Sequence, residues 1–176
     1  MSHVISADLT TERLVLRSWT ATDVAAVLDA SSASQSSQLA VLRPGLRPEH
    51  WAGDFPSDGD RVIAGLLATQ PEWLGAFGHR LVVERASGLV VGSIGLFWPP
   101  TDGVVELGYG VVESVRGRGY ATEATAALTA YALSSPEVHT VQAGVELSNP
   151  ASVRVLEKAS FQRVSADQET ARYERR

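Results

Sequence analysis

The sequence predicts an α+β domain in which a mixed, mostly antiparallel sheet is flanked by helices. Consecutive strand-like runs occupy residues 79–88, 89–98 and 104–112, and runs joined by short turns are typical of antiparallel strands. Segments with helical apolar spacing lie on both sides of these runs, and another strand-like run follows at residues 138–147. This order of elements defines the predicted fold class.

The first part of the chain predicts one strand and two helices. Residues 12–19 (ERLVLRSW) alternate in the manner of a half-buried strand. Residues 20–23 (TATD) resemble a capping pair that opens a helix, and an aspartate pair opens a second helix over residues 58–71. Residues 31–56 are rich in Ser, Gln, Gly and Pro, so we expect irregular or short helical structure there.

The last part of the chain predicts two helices and two short strands. Residues 117–133 carry apolar side chains at i, i+3, i+4 and i+7, which indicates an amphipathic helix. Asn149–Pro150 supplies an N-cap and a first residue for another helix that runs to about Ala159. Short strands are expected near Phe161 and Tyr173.

Composition limits the class of protein. The chain has 176 residues, of which 44% are hydrophobic and 20% charged; this is ordinary for a globular protein and predicts one domain over residues 1–176. No cysteine is present, which excludes disulfides, thiolate metal sites and cysteine nucleophiles, and fits a reducing cytoplasm. No apolar run approaches the roughly 20 residues that span a bilayer, so neither secretion nor a membrane partner is expected.

The net charge of the chain and the positions of its histidines limit the classes of ligand and partner to be expected. The net charge is −5 and the pI is about 5.3, which disfavours nucleic acid and is compatible with amine partners. The four histidines, His3, His50, His79 and His139, lie far apart without the spacing of a metal-binding helix. We interpret them as surface or core residues and expect no metal site.

Residues 114–125 (SVRGRGYATEAT) place positive charge at a helix start. Acidic side chains are favoured there, yet Arg116 and Arg118 precede the first acidic residue, Glu123. Glycines allow close approach of the backbone to a ligand, and N–H groups at a helix start bind anions, so the segment predicts a phosphate site. A dinucleotide fingerprint would need glycine in place of Thr122, and a P-loop would need Gly-Lys-Ser/Thr. A glycine-rich turn with solvated arginines is the alternative.

At these residues the sequence resembles the GCN5-related N-acetyltransferases (GNAT), and within them the branch of the ribosomal-protein alanine N-acetyltransferases. The family's loop, R/Q-x-x-G-x-G/A, is matched by Arg116, Gly119 and Ala121, with ELGYGV upstream and NPASVRVLEKASF downstream. Three motifs in order are far more specific than one glycine loop. The resemblance covers roughly residues 80–165 and matches more loosely through LTTERLVLRSW. It implies a GNAT-like fold with a splayed strand and acetyl-CoA as co-substrate.

The resemblance also implies where acetyl-CoA binds. Its pantetheine arm would lie along the splayed strand at Val111 and Val112 and hydrogen-bond Asn149. Arg154 and Lys158 are candidates for the ribose phosphate, although solvated helix charges are the alternative. The pyrophosphate would rest on the amides of Arg116, Gly117, Arg118, Gly119, Tyr120, Ala121 and Thr122.

One face of the 104–112 strand carries a candidate general base. Glu106, Gly108 and Gly110 share that face, and Val105, Leu107, Tyr109 and Val111 share the other, which is expected to be core. Glycines inside a strand indicate a bulge or the close approach of a ligand. An amine must be neutral to attack a thioester, so a carboxylate nearby could accept its proton directly or through water. Glu106 is therefore the candidate base, and a solvent-facing glutamate in a salt bridge is the alternative.

Two positions depart from the family pattern. Many members use a tyrosine seven residues after the asparagine to protonate the leaving thiolate, but Leu156 stands there. Ser152 lies on the inward stripe of the helix and the branch often has serine at this position, so it is the candidate acid; a serine bonded to the helix backbone is the alternative. Ser160 replaces a usual glycine, which predicts either a strained conformation or a different cap.

These features predict direct transfer of an acetyl group from acetyl-CoA to a primary amine, without a covalent enzyme intermediate. A protein N-terminus is favoured by the branch resemblance, but a polyamine, an aminoglycoside or another small amine suits the same chemistry. A non-catalytic acyl-CoA-binding module remains the alternative, and Glu106 separates the two because a binder needs no base.

The protein is expected to act as a monomer or homodimer. Candidates for the acceptor wall are Trp51, Trp73 and Trp98, unless they are core residues.

Overall fold

One mixed sheet organises the part of the chain that the computed structural model describes, residues 8–35 and 48–176. Its strands run in the order β1-β2-β3-β4-β5-β6-β8-β7, and every neighbouring pair is antiparallel except β5 and β6. The predicted fold class is therefore confirmed. The strands are β1 (Leu9–Thr10), β2 (Leu14–Ser18), β3 (His79–Glu84), β4 (Val90–Thr101), β5 (Val104–Val111), β6 (Thr140–Glu146), β7 (Gln162–Ala166) and β8 (Thr170–Arg175).

Four α-helices accompany the sheet in the described ranges, and local capping explains where they begin. The Thr20 N–H donates to an Asp23 carboxylate oxygen at the start of the first helix, Ser57 caps the second in a capping box, and the Asn149 side chain caps the fourth. The helices are α1 (Ala21–Gln35), α2 (Asp58–Thr69), α3 (Tyr120–Leu133) and α4 (Pro150–Lys158).

The stretch expected to be irregular, residues 31–56, is only partly so. Helix α1 extends through residues 31–35 to Gln35, so the helix is longer than the Ser-rich composition indicated. Residues 36–47 of that stretch lie outside the described residues. Helix α2 stops at Thr69 ahead of a 3₁₀ turn at Pro71–Leu74, as the proline at that point predicts.

Strands β3, β4 and β5 form the predicted antiparallel meander. The turn between β4 and β5 is formed by Asp102 and Gly103, whose φ angles are 49° and 75°; these positive values are those of the hairpin turns that Asp-Gly favours. Ser160 also has a positive φ, of 67°, so of the two alternatives predicted there, the strained conformation is the one found. None of the helices in the described residues has the length and apolar character to cross a membrane.

The splay of β5 from β6 positions the site. The two parallel strands, joined through α3, pair only over Val104–Glu106 and Thr140–Gln142. Beyond that point β5 continues to Val111 along β4, while β6 continues along β8. The peptide groups of β5 after Glu106 are therefore left without a strand on the β6 side, as the splayed-strand prediction requires.

Candidate active site

A groove of about 430 Å³ opens where β5 leaves β6. Its walls are the end of β5, the loop before α3, the first turn of α3 and one face of α4, and we call it the α3–α4 groove. Most of the residues predicted to contact acetyl-CoA line it, and Ser152 does as well. These residues are Val111, Arg116, Gly117, Gly119, Tyr120, Ala121, Thr122 and Asn149.

The first turn of α3 faces the groove with no cap. Gly119 is the N-cap residue with φ of 84°, and Gly117 has φ of 78°; both conformations favour glycine. No side chain caps this helix start among the described residues, and the first N–H groups of a helix have no acceptor within the helix. They are available to an anion in the groove.

The charge of the groove has one sign. Arg116, Arg154 and Lys158 line it, and no carboxylate belongs to the lining that the structure describes. A larger pocket, of about 530 Å³, lies against β6, β7 and β8, but Glu146 and Asp167 are among its lining residues. The α3–α4 groove is therefore the better match for a phosphorylated ligand.

The helix start is tied to the beginning of β2. The Nε atom of Arg13 donates to Glu123 at 2.7 Å, its backbone N–H donates to the same carboxylate at 2.8 Å, and its Nη1 atom donates to the carbonyl of Arg118 at 2.8 Å. The Thr11 hydroxyl adds a bond of 2.6 Å to Glu123. Burial raises the pKa of Glu123, but the hydrogen bonds from Thr11 and Arg13 outweigh burial and hold this pKa below its usual range. The acidic residue of the first turn thus anchors α3 instead of facing the groove.

Two predicted contact residues lie beside the groove and do not line it. The Arg118 guanidinium reaches Glu84 at 3.4 Å and the carbonyl of Ser114 at 3.3 Å. Val112 is buried, and its N–H donates to the carbonyl of Val91 at 2.9 Å. The loop therefore faces the groove mainly with its backbone and not with the side chains of Arg118 and Val112.

A second pocket, of about 300 Å³, lies on the other side of β5. It is bounded by the start of α2 and by β3, β4 and β5, and we call it the α2 pocket. Tyr109 and Gly110 line both the α2 pocket and the α3–α4 groove, so the two cavities meet at β5. None of Trp51, Trp73 and Trp98 is among the described residues that line the α2 pocket.

A buried carboxylate lies in the wall of the α2 pocket. Asp60 is 2% exposed and accepts hydrogen bonds from the Ser57 N–H (2.8 Å), the Ser57 hydroxyl (2.6 Å) and the Ser93 hydroxyl (2.5 Å). The sequence interpretation used Asp60 only as a helix-start signal. The Ser57–Asp60 capping spacing was visible in the sequence, but its pairing with Ser93 was not, because Ser93 comes from β4.

Glu106 occupies the point where the splay begins. It is the last residue of β5 that pairs with β6, and it is exposed, on the face it shares with Gly108 and Gly110. Its side chain makes no hydrogen bond or ion pair within the described parts of the chain. The α2 pocket reaches this face at both glycines, whereas Glu106 itself lines neither cavity.

Ser152 and Tyr109 meet above β5. The Ser152 N–H donates to the Asn149 side chain at 3.2 Å, and the Ser152 carbonyl accepts a bond of 3.1 Å from the Tyr109 hydroxyl. Burial raises the pKa of Tyr109. The sequence interpretation assigned Tyr109 to the core face of its strand, and its flanking glycines were the only signal that it stands beside a ligand site.

Comparisons with known proteins identify the family of the chain. The family model of the acetyltransferase (GNAT) domain matches residues 13–162. The uncharacterized N-acetyltransferase YjdG of Bacillus subtilis (strain 168) is 33% identical over 86 residues, which are 48% of this chain and 51% of that protein; the match thus spans about half the length of this curated relative.

Solved structures with the same fold include the following two. A GNAT-family acetyltransferase from Bacillus anthracis superposes with a TM-score of 0.65 at 20% identity, over 96% of this chain and 98% of that one. RimL, a ribosomal L7/L12 alpha-N-protein acetyltransferase solved in complex with coenzyme A, superposes with a TM-score of 0.63 at 15% identity, over 96% of this chain and 97% of that one.

The GNAT family model matches most of the chain. The protein therefore belongs to the GNAT acetyltransferases.

Proposed function

We propose that the protein transfers an acetyl group from acetyl-CoA to a primary amine by direct attack. The observation that carries this proposal is the α3–α4 groove, where an uncapped helix start and three cationic side chains meet the splayed edge of β5, with no carboxylate in the described lining. Acetyl-CoA is an anion with phosphate groups at one end and a thioester at the other, so it matches both ends of this groove. The coenzyme A complex of RimL, which has the same fold, supports the assignment.

Each part of the groove has a role in this proposal. The amides of residues 116–122 bind the pyrophosphate, and the peptide edge of β5 that β6 leaves uncovered, which ends at Val111, binds the pantetheine arm; Val112 lies beyond this edge and donates its N–H to Val91. The side-chain oxygen of Asn149 (Oδ1) already accepts a hydrogen bond from the Ser152 backbone N–H. The side-chain NH₂ group of Asn149 is therefore the group that donates to the ligand. Acetyl-CoA supplies an acetyl group activated as a thioester.

Proton transfer falls to two side chains of this chain. The amine nitrogen forms a bond to the acetyl carbon and the carbon–sulfur bond breaks, so one proton must leave the nitrogen and the sulfur must be stabilised. Glu106 lies on the same strand face as Gly108, and the two residues are about 7 Å apart along the strand. Because of this distance, Glu106 accepts the nitrogen's proton through a water molecule. The Ser152 hydroxyl, which makes no hydrogen bond among the described residues, donates to the leaving sulfur.

The acceptor proposed is a primary amine, and a protein N-terminus is the favoured kind. This rests on the branch resemblance and on RimL, which is an alpha-N-protein acetyltransferase. A chain without cysteine suits a reducing compartment, so the cytoplasm is the proposed location.

Two measurements test the proposal on the full chain. Calorimetry should detect acetyl-CoA binding, and a thiol-release assay with a panel of amines and N-terminal peptides should detect amine-dependent turnover. If acetyl-CoA does not bind at millimolar concentration, the proposal is wrong although the fold stands. Binding without turnover on any amine would instead support the acyl-CoA-binding module.

A further inference from the structure

The α2 pocket has one charged side chain. Asp60 is the only acidic residue, and no Arg or Lys is present, among the lining residues that the structure describes. The one other titratable side chain besides Tyr109 is His79, and burial lowers its pKa to about 4. At neutral pH, His79 is therefore uncharged and adds no cation to the pocket.

The Asp60 carboxylate lacks a cation. It is satisfied by hydrogen bonds from Ser57 and Ser93, but it forms no ion pair within the described part of the chain. Carboxylates are almost never this deeply buried without a charged partner, because the cost of removing a charge from water is offset mainly by an opposite charge. A ligand ammonium group would supply the missing partner.

A second buried group in the same pocket also lacks a partner. His79 is 1% exposed, and its Nε2 atom has no hydrogen-bond partner among the described residues. Buried polar atoms are nearly always hydrogen-bonded. His79 lies on β3 and Asp60 on α2, so two separate elements contribute a buried polar side chain to the lining of one cavity.

The pocket is continuous with the proposed chemistry. It shares Tyr109 and Gly110 with the α3–α4 groove, and Gly108 in its wall lies on the strand face of Glu106. A ligand in the α2 pocket would therefore reach β5 from the side opposite the groove, next to the proposed base.

We propose that the α2 pocket is the acceptor site and that Asp60 selects a primary ammonium group that has no carboxylate next to it. The inference rests on the proposed function and names its acceptor class: a peptide N-terminus or an alkylamine, and not a free amino acid. A free amino acid would bring its own carboxylate toward Asp60 with no cation in the pocket to offset the repulsion. The ammonium binds in its charged form and passes one proton through Glu106 to bulk water before attack, and the proton that the nitrogen loses during attack leaves by the same route.

The matched pair of L-alaninamide and L-alanine tests this selectivity, because the two differ at the carboxyl group. After correction to equal ammonium concentration, the wild-type protein should use alaninamide with a kcat/KM about 100-fold higher. In coenzyme-free protein, an NMR titration should show alaninamide, and not alanine, shifting the signals of the α2 pocket. Equal use or equal binding of the two, or no binding of either, would overturn the proposal.

Variants on one helix locate the effect. Asp60→Asn should raise KM for alaninamide about tenfold or more and reduce the preference over alanine. Asp58→Asn is the matched control: it removes the same charge two residues earlier, where the side chain is fully exposed and outside the pocket, and should change neither quantity. Selectivity that survives in Asp60→Asn contradicts the assignment.

Val62→Lys keeps the test decisive if Asp60→Asn does not fold. Val62 lines the pocket but is 63% exposed, so a lysine is accommodated and adds a cation. KM should rise for alaninamide and fall for alanine, and changes in the same direction would count against the proposal. Acetyl-CoA affinity, measured separately, should stay constant in every variant. If acetyl-CoA binds and is turned over but Asp60→Asn has no effect, the assignment of the acceptor site is wrong and the proposed acetyl transfer stands.

Discussion

The guanidinium of Arg13 bonds both to Glu123 in the first turn of α3 and to the carbonyl of Arg118 in the loop before that helix. Arg13 immediately precedes β2, so a residue more than a hundred positions away in sequence fixes the orientation of the helix start. A phosphate site made of backbone N–H groups depends on that orientation, because each N–H must point at the anion.

Glu123→Gln should weaken acetyl-CoA binding although Glu123 does not line the groove. The amide loses the charge-assisted bonds to Arg13, so the helix start becomes less well oriented, and we expect the dissociation constant to rise about three- to tenfold. Calorimetry measures this constant directly. Arg61→Ala, which removes an exposed ion pair with Asp58 on α2, is the control and should leave it unchanged. An unchanged constant in Glu123→Gln would mean that the loop keeps its orientation without Arg13.

Gly119→Asp should weaken acetyl-CoA binding more than Arg118→Ala. At Gly119 the φ of 84° disfavours any side chain, and an aspartate adds a negative charge where phosphate is expected. Arg118 directs its guanidinium to Glu84 and the Ser114 carbonyl, so its loss removes a cation that already has partners.

The control for backbone strain in this comparison is Gly88→Asp. Gly88 has a similar φ of 72° with open space around it and lies in the β3–β4 turn, so this variant should be destabilised without a change in acetyl-CoA affinity. Dissociation constants in the reverse order for Gly119→Asp and Arg118→Ala would show that side-chain charge, not the backbone, holds the pyrophosphate.

The parts of the fold that are local in sequence could be predicted from it. The Asn149–Pro150 start of α4 and the Asp102–Gly103 turn are determined by a few adjacent residues, and both are found where their chemistry indicates. The α2 pocket could not be found in this way, because Asp60, His79 and Ser93 belong to three separate elements whose proximity depends on how the sheet is ordered.

The face of a strand was predictable, but its surroundings were not. Alternation placed Leu107 and Tyr109 on one face and predicted both to be core. Leu107 is buried at 2% exposure, whereas Tyr109 lies beyond the point where β6 departs and lines two cavities. Periodicity specifies which way a side chain points, and only the pairing of β5 with β6 specifies what covers it.

His79 should make stability depend on pH. Burial lowers its pKa to about 4 in the folded protein, while an unfolded histidine titrates near 6.5. Between these values the unfolded state binds a proton that the folded state does not, so the free energy of unfolding falls as the pH falls through this window. From pH 7 to pH 5 the loss due to His79 should be about 2 kcal/mol.

His79→Phe should remove that part of the pH dependence in denaturant unfolding at pH 7 and pH 5. Absolute stability will shift with the changed packing against Trp73 and Phe97, so the readout is the difference between the two pH values. His50→Phe alters an exposed histidine and should keep the wild-type difference. A wild-type difference in His79→Phe would mean that the buried imidazole is protonated in the fold.

Glu106→Gln should lower kcat/KM by about 10² to 10⁴ and leave acetyl-CoA affinity nearly unchanged, because Glu106 does not line the groove. Much of the loss should be recovered at high pH, where the free amine is abundant without a base. Glu113→Gln, the same change at an exposed residue just after β5, should behave as wild type.

Ser152→Ala should lower kcat without flattening the acidic limb of the pH–rate profile. Its hydroxyl is proposed to act on the leaving sulfur, and the limb reports proton loss from the amine, so the two variants should separate in one set of profiles. The Ser152 backbone bonds to Asn149 and Tyr109 are retained by alanine, which keeps the start of α4 in place.

If Glu106→Gln turns over at the wild-type rate at neutral pH, the strand carboxylate is a solvent-facing side chain, and Asp60 or a water chain in the α2 pocket must take the proton. If Ser152→Ala instead flattens the acidic limb, the serine acts on the amine and the direction of proton flow proposed here is reversed.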